Sequence, residues 1–150
     1  MAEEKKVNEL YRTMFVVWGG LLLSQFLFLV IGYTTKPDLL YVDVSKPVLG
    51  SEPTAIIVMA VIAVSVIVTS FVVRSSMISA AITARDPQKL QSAYVTGMAM
   101  ADGVSLLGLV AAFVFDYQYF LVFVVLGALT IFLHRPKMSN IVAATFEDKI

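Results

Sequence analysis

The sequence predicts an all-α membrane protein, a bundle of four transmembrane helices with both termini on the cytoplasmic side. Three observations carry this. The chain has 150 residues, of which 59% are hydrophobic and 15% charged, with a mean hydropathy of +0.85. A soluble domain of this size cannot hide that much apolar surface in one core. Four apolar stretches each approach the roughly 20 residues needed to cross a hydrocarbon layer. Finally, the Lys and Arg residues fall mostly on one side of those stretches.

The expected helices cover about 14–33, 54–84, 88–115 and 117–133, in one membrane domain spanning 1–150, with a cytoplasmic tail at 134–150. A segment in lipid must satisfy its own backbone hydrogen bonds, so each is a helix or a barrel strand. Barrel strands alternate polar and apolar residues. These runs do not alternate, so helices are expected despite their many Val, Ile and Phe residues. The first run is preceded by mixed charges (Glu3, Glu4, Lys5, Lys6, Glu9, Arg12) and is not followed by a small-residue cleavage site. It is expected to be a retained helix rather than a signal peptide.

Orientation follows from the basic residues. Lys5, Lys6 and Arg12 precede the first apolar stretch, Arg74, Arg85 and Lys89 lie between the second and third (54–73 and 93–115), and Arg135, Lys137 and Lys149 follow the fourth. Only Lys36 and Lys46 occupy the first loop, and the last loop has none. This asymmetry predicts an integral protein of a bacterial inner or plasma membrane with both termini cytoplasmic.

Local signals support the boundaries. Glu52-Pro53-Thr54 and Asp86-Pro87 place an acid and a proline at helix starts. Only Asp116 separates the third and fourth runs, which predicts a tight hairpin. Trp18, Tyr33, Tyr117 and Tyr119 suit the aromatic belts of a bilayer. The Phe-rich faces, Phe15, Phe26 and Phe28 in the first helix and Phe120, Phe123 and Phe132 in the fourth, are expected to face lipid.

Composition excludes several functions. Net charge is zero and there is no basic stripe, so nucleic acid is not an expected partner. There is no Cys and a single His, His134, so a thiolate or multi-His metal site is excluded within the chain. No Walker loop, dinucleotide fingerprint, Ser-based triad or paired carboxylates occur, so neither a cofactor nor stand-alone enzyme activity is expected. His134-Arg135-Pro136-Lys137 reads as the flank that ends the fourth helix, with haem or quinone ligation the lesser alternative. Arg74 reads as an interfacial arginine whose head reaches phospholipid or Asp86.

Asp102 is the anomaly. It lies two residues from the middle of the 93–115 stretch. An ionised carboxylate there costs at least about 2.5–3.5 kcal/mol. A carboxyl that is protonated or paired with a donor is therefore expected. Two roles stand open. It is either an ion-binding carboxyl that takes up and loses a proton, or an interhelical hydrogen-bonding group that fixes packing. Gln25, Ser65, Thr69, Ser70, Thr96 and Ser105 are its candidate partners. The third helix also carries Ala93, Gly97, Ala101, Ser105, Gly108 and Ala112 at spacings of four, four, four, three and four. This small-residue face predicts close helix packing, with the third helix central to a bundle or oligomer.

Residues 84–90 read Ala-Arg-Asp-Pro-Gln-Lys-Leu, and residues 97–113 carry Asp102 followed by Gly108-Leu109-Val110. This hairpin resembles the proteolipid c-subunit of rotary ATP synthases. There a polar cytoplasmic loop with Arg-x-Pro joins two helices, and a mid-membrane acid is followed by Gly-Leu-Val. Arg85, Asp86 and Pro87 match that loop. The resemblance implies that Asp102 binds one proton or sodium ion per subunit within a homo-oligomeric ring. The alternative, from the lack of any catalytic set, is a structural or accessory subunit of a larger membrane complex. In both cases the lipid bilayer and other membrane subunits are the expected partners.

Overall fold

The computed structural model describes residues 2–146, with side chains for all but 2, 3 and 40 of these. Every regular element in it is helical: α1 (Ala2–Thr35), a 3-10 turn (Pro37–Leu40), α2 (Pro53–Thr83), α3 (Pro87–Phe115), α4 (Leu121–Leu133) and α5 (Met138–Thr145). The first three long helices are each long and apolar enough to cross a membrane. The pair α4 and α5, bent by 47°, makes a fourth if taken as one broken span.

The surface is what a bilayer selects. Val58, Val61, Val64, Val68 and Val72 of α2 and Leu23, Phe26, Leu27 and Val30 of α1 are exposed, whereas Gln25, Ser70, Ser105, Thr130 and His134 are buried. Polar atoms inside and apolar ones outside invert the pattern of a water-soluble core.

α3 is the hub, packed against α1, α2, α4 and α5. Two apolar clusters occupy opposite ends of the bundle. One joins Val7 and Met14 of α1, Ala81 of α2, Leu90, Tyr94 and Met98 of α3, and Ile141 and Ala144 of α5. The other joins Leu39, Ile56 and Met59 to Ala111, Ala112, Tyr117, Phe120 and Phe123. The start of α1, the α2–α3 turn and α5 therefore share one end.

Several sequence expectations are corrected. α1 begins at Ala2 rather than at residue 14, because residues 2–13 are strong helix formers and Val7 buries against the first cluster. α4 begins at Leu121 rather than at residue 117. Asp116 takes a left-handed conformation (φ 51°), the Tyr117 N–H donates to the Ala111 carbonyl (3.1 Å), and residues 117–120 form a turn. That turn drives Tyr117 and Phe120 into the core, so Tyr117 is not a belt residue and Phe120 and Phe123 do not face lipid. Phe26 and Phe132 are exposed, at 65% and 55%. Within the expected 134–150 tail, the described residues 134–146 are not a plain tail: Pro136 interrupts the chain, and α5 then folds back with Ile141 and Ala144 fully buried. Lys149, counted for orientation, lies outside the described residues.

The α2–α3 turn has a complete local explanation. Arg85 adopts φ 52°, its N–H donates to the Ile82 carbonyl (3.1 Å), and the Asp86 N–H donates to the Ala81 carbonyl (3.0 Å). This is a Schellman stop with a non-glycine residue in the left-handed position. Asp86 then caps α3, its Oδ1 accepting from the N–H groups of Gln88 (3.0 Å) and Lys89 (3.1 Å), and Pro87 fills the first helical position. Since left-handed backbone costs a non-glycine residue about 1–2 kcal/mol, Arg85→Gly is expected to raise the unfolding free energy. A denaturant titration in detergent that shows a loss instead would refute this account of the turn.

At the other end, Gln118 clamps the first loop. It accepts from the Asp43 N–H (2.9 Å) and donates to the Asp43 carbonyl (3.0 Å). The Asp43 carboxylate accepts from the Ser45 hydroxyl (2.6 Å) and N–H (3.0 Å), which hold its pKa below the ordinary value. A depressed folded pKa means that this turn's stabilisation is present above the ordinary aspartate value of about 3.9 and is lost as pH falls through the folded value. The Ser45 amide resonance is therefore expected to shift only below that range. Movement at or above it would contradict the carboxylate's role.

Candidate functional site

Asp102 sits midway along α3, partly buried, and faces α1 rather than α2. Its Oδ1 accepts from Gln25 Nε2 at 2.6 Å; the Ser24 hydroxyl lies 3.2 Å from it but has the Leu21 carbonyl of its own helix closer, at 2.7 Å. Gln25 in turn accepts, through Oε1, from the Ser105 hydroxyl one turn along α3. Its second amide hydrogen has the Leu21 carbonyl within 3.3 Å. The amide is thus fully used, and Gln25 is only 4% exposed. Spacing explains the arrangement. Asp102 and Ser105 are three apart on one α-helical face, so one amide on α1 spans both.

Of the candidate partners, Gln25 and Ser105 are in this network. Ser24, not among the expected partners, lies beside it. Ser65 and Ser70 turn their hydroxyls onto carbonyls of their own helix, those of Val61 (2.8 Å) and Ile67 (2.7 Å). Among the described residues Thr69 and Thr96 form no hydrogen bond with Asp102.

The small residues of α3 lie buried, and each admits a neighbour. A Cβ on Gly97 would lie 2.6 Å from His134 Cδ2 and 3.1 Å from Arg74 Cβ, and one on Gly108 would lie 2.7 Å from Phe123 Cβ and 2.9 Å from the Phe120 carbonyl. Ala101, Ser105 and Ala112 are likewise fully or nearly fully buried. Gly127 of α4 completes the seam. A Cβ there would collide with the Ser105 hydroxyl and come within 3.1 Å of the Ala101 carbonyl.

A second polar group lies toward the end holding the α2–α3 turn. His134 is no exposed flank: it is fully buried, its ring tilted against Phe71 at a centroid distance of 4.4 Å, with Nδ1 2.7 Å from the Thr130 carbonyl. A carbonyl only accepts, so Nδ1 carries the hydrogen. Arg74 lies over Phe71 and Tyr94, with centroid distances of 5.4 and 5.9 Å, and donates to the Leu133 carbonyl at 3.3 Å. It does not pair with Asp86, whose carboxylate caps α3 and lies 3.7 Å from Lys89. Arg74 Nε and His134 Nε2 are buried and have no hydrogen-bond partner among the described residues.

Arg85, Asp86 and Pro87 belong to neither group and serve the helix stop and start. No cluster of metal-ligating side chains occurs among the described residues. Trp18 crosses between helices, its indole N–H donating to the Ile131 carbonyl at 2.9 Å. Comparison with family models, with characterised proteins and with solved structures finds no match to this chain, so its functional reading rests on its own geometry.

Proposed function

We propose that the chain is a non-catalytic subunit of a larger membrane assembly, crossing the bilayer four times with both termini cytoplasmic, and that Asp102 serves it as an interhelical tie. The observation that carries this is the carboxylate's occupancy. Gln25 of the same chain engages it, and α1 lies against it. A rotor acid has to meet an outside stator, and here the chain's own first helix covers the approach. The match of Arg85, Asp86 and Pro87 to a rotor loop also has a sufficient local cause in capping. Residues 54–73 contain no glycine, which disfavours the close ring packing of a rotor's inner helix.

The second reading is the proton- or ion-translocating proteolipid. In its favour are the mid-span depth of Asp102 and its incomplete burial. The native mass of the gently extracted complex separates the two, combined with carbodiimide treatment. The subunit reading expects few copies of this chain among unlike subunits and no modification of Asp102. A closed ring of identical copies with Asp102 labelled would overturn it.

A further inference from the structure

We propose that the cleft between the ends of α2, α3 and α5 binds a phosphate group. The cleft encloses about 270 Å³ and is lined by Arg74, Ser75, Tyr94, Arg135, Lys137 and Asn140, with Ile78. Three cationic side chains thus converge on one small space with no Asp or Glu in its lining. Neither Arg74, Arg135 nor Lys137 forms an ion pair among the described residues. Arg135 lies over the Phe15 ring at 5.8 Å, a contact that leaves its guanidinium hydrogens available.

The hydrogen-bond inventory points the same way. Arg74, which lines the cleft, spends one nitrogen on the Leu133 carbonyl and makes no other hydrogen bond among the described residues. The Tyr94 hydroxyl already accepts twice, from the Lys137 N–H (3.1 Å) and from Asn140 Nδ2 (2.8 Å), so its own hydrogen is left to donate. The cleft is rich in donors and poor in acceptors. A group with several anionic oxygens satisfies that excess, and a phosphate does so through charge-assisted bonds. α5 builds the site, because its start presents Lys137 and Asn140 to Tyr94.

Two sources offer this chemistry: a phospholipid headgroup and soluble phosphate. Leu133, whose carbonyl accepts from Arg74, is 62% exposed and gives acyl chains an apolar surface to follow. The site is independent of the subunit reading, and failure of either leaves the other standing.

The test is a native-mass titration of the full chain in non-ionic detergent. Its probes are short-chain phosphatidylglycerol, the matching diacylglycerol that lacks the phosphate, and inorganic phosphate. One saturable phosphatidylglycerol is expected, with diacylglycerol not retained. Arg74→Gln with Lys137→Gln should weaken binding at least about tenfold, the worth of one charged hydrogen bond. Lys5→Gln with Lys6→Gln, which removes equal charge at the same end, should leave binding unchanged. Lys137→Gln alone, at a side chain with no ion pair, guards against misfolding of the double variant and should still weaken binding. Saturable inorganic phosphate with the same variant dependence, and no preference for the lipid, would assign the soluble source. The proposal falls if nothing binds saturably, if diacylglycerol binds equally well, or if the Lys5/Lys6 variant loses as much as the cleft variant.

Discussion

Gly127→Val is expected to unfold the α3–α4 seam, lowering stability by about 3 kcal/mol, the upper part of the overpacking range. The cost has two origins. The new side chain presses on the Ala101 carbonyl and the Ser105 N–H, at 3.1 and 3.2 Å from even a bare Cβ, and a backbone in mid-helix cannot yield cheaply. It also displaces the Ser105 hydroxyl and so cuts the link to Gln25. Gly103→Ala is the matched control. No atom lies within 4 Å of its Cβ position, so relief of glycine's helix cost should stabilise by up to about 1 kcal/mol. Equal effects at the two glycines, in thermal unfolding of the detergent-solubilised protein, would show that the seam is not packed as described.

The second large effect is expected at Asp102. Asp102→Leu keeps the branched shape, with a methyl in place of each carboxylate oxygen, but removes the acceptor for Gln25 Nε2, leaving an amide hydrogen unsatisfied where no water competes. About 2 kcal/mol of destabilisation is expected, the middle of the range for a buried unpaired group. Asp102→Asn retains an Oδ1 acceptor and should remain within about 1 kcal/mol of the parent, the ordinary worth of one such bond. A double-mutant cycle of Asp102→Leu with Gln25→Leu should give a coupling energy above about 0.5 kcal/mol. Additive losses would mean that the two side chains do not act as a pair. If Asp102→Asn is as damaging as Asp102→Leu, the charge rather than the acceptor matters, and the ion-binding reading gains.

The sequence discloses some features of this chain and hides others for one physical reason. Lipid is as apolar as the bundle's interior, so apolar runs reveal where helices lie but not which faces meet. The ends of α2 and α3 were legible because Pro53 and Asp86-Pro87 act through local backbone chemistry. Gln25 and Ser105 were legible as candidate partners, since a polar side chain inside an apolar run either turns inward, as these do, or bonds back to its own helix, as Ser65 does. Which helix would supply the partner was not legible, and α1 rather than α2 does so. The start of α4 was hidden because Tyr117 and Phe120 extend the apolar run while their backbone turns. α5 and the burial of His134 were hidden because His-Arg-Pro-Lys is polar enough to resemble a tail. The glycine at position 97 was a usable clue, since the His134 ring needs that missing Cβ.

The position of Gln25 also bears on biogenesis. α1 is synthesised before α3, yet two of the groups that satisfy the Gln25 amide, Asp102 and Ser105, belong to α3, some 80 residues later in the chain. The α2–α3 hairpin can close as soon as its short turn is made, because its contacts are local. α1 has to wait, holding a polar amide in an apolar environment until that hairpin arrives. Assembly is therefore ordered, with the earliest segment joining late, and a newly made α1 is the point at which an insertase or holding chaperone has most to protect.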